Sequence, residues 1–273
     1  MLAETTLPDW ASGRLVAGLG CQTGRPIDDV GALTDADGWI CVQAKKRLRR
    51  SDASDSDLAA AVEQLVAIDA EGVPDRPPHQ DELRPLDPGM DWVLILTDVE
   101  ANSTIAVAMA RLVDRLRMWP EAVPLAEAAT NAGERAALRT LRGHVERFWA
   151  DRHGAVADEG VVRSLLRPLA VRALDLRPEG SDLRALLPQL RDLLDDPGDA
   201  LGLWRDLELI GQRLAAERLW IRPWRPTAAA AKRHLWALAK RYARAWGEEL
   251  IGPWKQEFRP AAAPPLPASP QLS

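Results

Sequence analysis

An uninterrupted apolar run, Trp92-Val93-Leu94-Ile95-Leu96-Thr97, constrains this chain more than any other segment. It is far too short to cross a bilayer. Its lack of polar alternation suits a central strand buried on both faces. The segments before it supply the rest of a sheet. Residues 15–20 form a short apolar segment, and Gln22-Thr23-Gly24-Arg25-Pro26 reads as a turn. Residues 27–33 are strand-like, Thr34-Asp35-Ala36-Asp37-Gly38 is a hairpin-type turn, and residues 39–45 form a second strand.

A helix is expected from Asp57, its candidate N-cap, because Leu58, Val62, Leu65 and Val66 recur at helical spacing with Glu63 and Gln64 among them. Residues 71–91 carry Pro74, Pro77, Pro78, Pro85 and Pro88 and read as a long connection. Residues 104–119 are helical again, with Ile105, Ala108, Met109, Leu112, Val113 and Leu116 on the apolar side. The order is strand, strand, strand, helix, strand, helix. That predicts an α/β (α+β) fold, a mixed sheet flanked by helices rather than a bundle.

The second half shows only helical patterns, over 132–149, 158–176, 182–194, 200–219 and 228–250. An α/β domain is therefore expected over residues 1–122 and an all-helical domain over 123–256. A Pro/Ala-rich tail over 257–273 is expected to be disordered. Tryptophan is frequent, 11 against one Tyr and two Phe, and Trp204, Trp220, Trp224, Trp236 and Trp246 fall in the last quarter. Filling a helical core explains them most simply; a base-stacking or partner-binding platform is the sharper reading.

Composition narrows the chemistry. At 273 residues, 47% hydrophobic and 27% charged, the chain is of ordinary globular type. No basic-then-apolar leader opens it, so a soluble, cytoplasmic protein with no membrane partner is expected. Cys21 and Cys41 have neither the number nor the spacing of a disulfide framework or a zinc site. Cys41, in an apolar run, reads as a buried structural thiol. The histidines, His79, His144, His153 and His234, are scattered. A net charge of −5 argues against a general nucleic-acid binder. The charge is unevenly placed, however: Lys45-Lys46-Arg47-Leu48-Arg49-Arg50 is strongly basic and precedes the acidic, Ser-rich segment 51–57.

Strand alternation identifies a candidate centre. Ile40, Val42 and Ala44 share one face, expected to be the helix-covered one, and Cys41, Gln43 and Lys45 share the other. On the preceding strand, Asp29 and Gly31 lie opposite the apolar set of Val30 and Ala32. Hairpin pairing then gathers Asp29, Gln43 and Lys45 on one side. Alternation selects Asp29 over its neighbour Asp28, and a bulge would reverse the choice.

Hydrolysis of a phosphodiester needs a divalent cation to neutralise the phosphate and acidify a water, and hard cations take oxygen ligands. Asp29 (or Asp28) offers a carboxylate, Gln43 an amide oxygen and Ala44 its carbonyl. Lys45 can orient the attacking water or stabilise charge on the phosphate. Lys46, Arg47, Arg49 and Arg50 leave the strand where a nucleic-acid backbone would pass. Taken alone, the same residues describe a surface hairpin with a Lys at its end.

The pattern Asp29 followed by Gln43-Ala44-Lys45 resembles the PD-(D/E)xK superfamily in its QxK, Mrr-like variant. A longer resemblance, through "DDV", "VQAKK", "LAAAVEQLV", "PLDPGMDWVLILT" and "AATNAGERAAL", covers roughly residues 22–220. It is to the N-terminal region of large bacterial NACHT/STAND-type antiphage ATPases. The resemblance implies a restriction-endonuclease-like αβββαβ core and cleavage of DNA with Mg²⁺ (or Mn²⁺). It assigns metal binding to Asp29, Asp28 and Gln43, catalysis to these with Lys45, and support from Gln64 on the following helix. It also implies a defence-system partner carrying an ATPase or sensor, since no G-x-x-x-x-G-K-[ST] loop occurs here; a homodimer is a further expectation. The alternative is a catalytically inactive nuclease-like module that recruits a partner through its helical half.

Overall fold

The computed structural model describes residues 16–21, 29–76 and 79–191, and beyond them 200–202, 204–205, 208, 212 and 220–221. The chain forms β1 (Val16–Cys21), β2 (Val30–Thr34), β3 (Trp39–Lys45) and α1 (Asp57–Glu71). A small hairpin follows, β4 (Val73–Arg76) and β5 (His79–Arg84), and then β6 (Trp92–Asp98). A π-helical turn, Thr104–Met109, runs into α2 (Ala110–Arg117). The remaining elements are α3 (Ala132–His153), α4 (Glu159–Leu166), β7 (Leu169–Leu174), α5 (Ser181–Arg191) and the short β8 (Trp220–Ile221).

Six strands make one mixed sheet in the order β7-β6-β3-β2-β1-β8. β1, β2 and β3 form an antiparallel meander, and β3, β6 and β7 run parallel. The apolar run at 92–98 is thus a central strand with a parallel neighbour on each side, as its composition predicts.

Local chemistry explains the joints. At the β2–β3 turn the Thr34 hydroxyl donates to the Gly38 carbonyl and accepts the Gly38 N–H, both at 3.0 Å. Asp37 takes the left-handed position with φ 61°. Gly38 is required there because a Cβ would stand 2.3 Å from the Met90 carbonyl oxygen. Helix α1 is capped by Ser56, whose side chain accepts the Ala59 N–H, rather than by Asp57, which is the first helical residue. Gly72, with φ 86°, ends that helix.

Four further expectations change. The proline-rich connection at 71–91 contains the β4–β5 hairpin; prolines at the ends and edge of a two-stranded ribbon forfeit few ladder bonds. The helix expected over 158–176 stops at Leu166, and Leu169–Leu174 becomes a strand beside β6. Its apolar residues satisfy a helical pattern nearly as well as a buried strand, so periodicity does not separate the two. The boundary expected at 122/123 does not divide two cores. Leu141, Val145, Val162, Leu165 and Val171 pack in one cluster with Leu65, Ile95 and Leu112.

The last change concerns sheet faces. Helices α1 to α4 cover the face bearing Trp39, Cys41, Val93, Ile95 and Val171, whereas Ile40, Trp92, Leu94 and Ala170 form a smaller cluster on the other face. Both faces of β3 are apolar through residue 42, so alternation finds the two sets without saying which one the helices choose. The tail at 257–273, the helix expected over 228–250 and Trp224, Trp236 and Trp246 lie outside the described residues. Among the described residues, no helix is long and apolar enough to cross a membrane.

Candidate active site

The antiparallel register sets Val30 against Val42 and Gly31 against Cys41. One step further, Asp29 meets the Gln43–Ala44 stretch of β3. Its Oδ2 accepts the Ala44 N–H at 2.6 Å, a short charge-assisted bond. Asp29 shares a face with Gly31, as Gln43 and Lys45 do with Cys41, so alternation puts all three on the helix-covered side. Asp28 lies outside the described residues.

Gln43 is only 1% exposed, and neither its Oε1 nor its Nε2 has a hydrogen-bond partner. A buried primary amide left unpaired costs about 1–3 kcal/mol by mutational measures. Native interiors leave few such groups without a functional reason. Gln64, half-buried on α1, also has a buried Oε1 with no partner. Lys45 is half-buried in the last position of β3, with Thr97 opposite on β6 and no ion pair or hydrogen bond to its ammonium among the described residues.

The donors fit a hard divalent cation in kind: a carboxylate whose Oδ1 has no partner among the described residues, a buried amide oxygen without a partner, and a backbone carbonyl at Ala44. Asp29 is the one acidic member, and among the described residues no group of three or more His, Cys, Asp or Glu side chains could hold a metal.

The basic run does not form the continuous grip expected. Leu48 is fully buried and its N–H donates to Thr97 Oγ1 at 3.0 Å, which pins the loop to the sheet. Arg47 takes φ 54° and pairs with Glu100 at 2.5 Å. Arg50 turns to Thr140 Oγ1 at 3.1 Å, with Asp52 at 3.8 Å. Lys46 and Arg49 stay exposed, with no partner among the described residues. The buried Leu48 between them is the physical reason: an apolar anchor inside a charged run makes its neighbours diverge.

Several residues that hold this region carry no signal in the sequence. His144, 1% exposed, donates from Nε2 to the Ser51 carbonyl at 2.7 Å, and Thr140 donates to Asp52 Oδ1 at 2.6 Å. Asp91, fully buried at the start of β6, accepts the Trp39 N–H, both terminal nitrogens of Arg84 and the Asp87 N–H. These partners are mostly far apart in sequence, where spacing gives no clue. No family model, curated protein or solved structure matches the chain.

Proposed function

We propose that this chain is a Mg²⁺-dependent DNA endonuclease with a restriction-endonuclease-like core, acting in the cytoplasm as a bacterial antiphage effector. The observation that carries the reading is the buried, unpartnered amide of Gln43 on the sheet face shared by Asp29 and Lys45. The meander of three strands, the helix α1 and the parallel return through β6 support it as the expected βββαβ order.

In this reading Asp29 and Gln43 hold the cation, which supplies charge neutralisation at the phosphate and a more acidic water. Lys45, unpaired at the end of β3, places its ammonium where negative charge grows on the phosphate as water attacks and an ester oxygen leaves. Lys46 and Arg49 meet the flanking backbone, and Gln64 supports the site from α1.

One observation favours the non-catalytic alternative. The bond from Ala44 to Asp29 gives that carboxylate a structural task of its own, completing the end of the β2–β3 ladder. Supercoiled-plasmid cleavage with Mg²⁺ or Mn²⁺, against EDTA and beside Lys45→Ala, separates the readings. Metal-dependent nicking that the variant lacks supports the enzyme. No nicking by the wild-type chain at any metal or protein concentration favours the recruiting module.

A further inference from the structure

Lys45 is held from both sides by side chains that bond the backbone of its neighbours. One residue before it, the Ala44 N–H donates to Asp29 Oδ2 at 2.6 Å. Three residues after it, the Leu48 N–H donates to Thr97 Oγ1 at 3.0 Å. Thr97 is also the residue directly opposite Lys45 in the parallel ladder, one short of the end of β6. The chain therefore leaves β3 at Lys45, reverses through Lys46 and Arg47, and returns its next N–H to the position beside its starting point. Adjacent strands stand about 4.8 Å apart, so the reversal is tight. Arg47 takes the left-handed backbone within it, at φ 54°.

This anchor is buried. Thr97 is 5% exposed, and Leu48 is fully buried in the cluster that holds Leu58, Ile95 and Ile105. The other tie on the loop, Arg47 to Glu100, is about half exposed at both ends and contributes little. An apolar strand such as 92–96 accepts valine at its next position as readily as threonine. Valine, however, offers the buried Leu48 N–H no acceptor, and such groups need one.

We propose that Thr97 is a positioning residue of the candidate site: its hydroxyl oxygen closes the 45–48 reversal and so fixes where the Lys45 ammonium stands. The inference rests on the nuclease reading for the reaction that Lys45 serves. A lysine ammonium rides on a flexible four-carbon stem, so its placement depends on how firmly the backbone beneath it is held. A strand end that frays by about 1 Å costs on the order of 100-fold in rate when it carries a reacting group. Asp29 prevents fraying on the side of β2, and Thr97 prevents it on the side of β6.

The test compares wild type, Thr97→Val and Thr97→Ser in two measurements. One is metal-dependent plasmid cleavage, read as kcat and KM. The other is the rate at which an amine-acylating reagent modifies Lys45 relative to the exposed Lys46, read by mass spectrometry. Thr97→Val is expected to lower kcat about tenfold or more with KM within about twofold. It should also speed Lys45 acylation severalfold as the strand end loosens. Thr97→Ser keeps the hydroxyl and should keep most of both wild-type values. If Thr97→Val does not fold, Thr97→Cys replaces it, with similar volume and a far weaker acceptor. An unchanged kcat overturns the proposal whatever the labelling shows, and so does a serine variant as impaired as the valine one. A wild type that never cleaves removes the nuclease reading but not the hold on Lys45. In that case faster Lys45 labelling in the valine variant alone supports the hold, and equal labelling in all three proteins overturns it.

Discussion

The Asp29 carboxylate accepts the Ala44 backbone N–H at 2.6 Å, across the end of a hairpin ladder whose register sets Val30 against Val42. The bond fixes the carboxylate at the Gln43–Ala44 stretch, and its Oδ1 has no partner among the described residues. Asp29→Asn keeps an acceptor for Ala44 and removes the charge. It is expected to change stability by less than about 1 kcal/mol and to abolish metal-dependent cleavage. Asp29→Ala should cost about 1–2 kcal/mol as well, because the Ala44 N–H loses a charged acceptor. Urea unfolding beside the plasmid assay checks both; equal activity of Asp29→Asn and wild type would remove Asp29 from the chemistry.

Gln43 gives a prediction of opposite sign for stability and function. Its buried amide has no partner, so Gln43→Met, similar in shape and apolar, should stabilise the fold by about 1–3 kcal/mol. The same variant should lose cleavage. The midpoint of urea unfolding reads the first effect, and a lower midpoint would mean that the amide is satisfied in solution.

Asp91 is a structural counterpart with every bond made. It joins the start of β3, through the Trp39 N–H at 2.8 Å, to the Arg84 guanidinium at 2.6 and 2.7 Å. Asp91→Ala strands a largely buried arginine charge and frees a buried strand N–H, and should cost about 3–5 kcal/mol. Thermal unfolding measures this directly. A loss below about 1 kcal/mol would show that Arg84 finds water at little cost.

Acid should loosen the junction of α2 and α3. Arg115 pairs with the buried Glu134 at 2.8 Å and also donates to the Ala128 carbonyl. The side-chain bond from Arg115, reinforced by the backbone and hydroxyl of Thr130 against the opposing effect of burial, holds the Glu134 carboxyl down at about 2, from an ordinary 4.5. Because the folded value is the lower one, the stabilisation is complete above about pH 4.5 and is lost as pH falls towards 2. On the order of 2–3 kcal/mol is at stake. Unfolding midpoints of wild type and Glu134→Gln should differ at pH 7 and converge near pH 2; a constant gap across that range would sink the assignment.

Cys41 should be inert. It is 1% exposed in the helix-covered core, and burial, with Asp91 adding to it, pushes its thiol well above the usual range. In a Cys21→Ser background, a thiol reagent should label Cys41 only after denaturation. Rapid labelling of the folded protein would mean that the sheet opens at β3.

Much of this arrangement is legible without a structure. The strand at 39–45, the turn at 34–38, the helix from 57 and the buried strand from 92 follow from local periodicity and turn chemistry, which act over a few residues. The hairpin pairing that brings Asp29 to the Gln43–Ala44 stretch is legible too, given a tight turn and no bulge before Val30. Tertiary structure decides what periodicity leaves degenerate: which face of β3 the helices cover, and that residues 169–174 extend along β6 as a strand. It also decides which members of the basic run remain free, because Glu100, Thr140 and Asp52 take Arg47 and Arg50, and most of these contacts join distant segments. Local pattern specifies the backbone path, whereas burial and charge pairing depend on segments that meet only when the whole sheet and its helices close on one core.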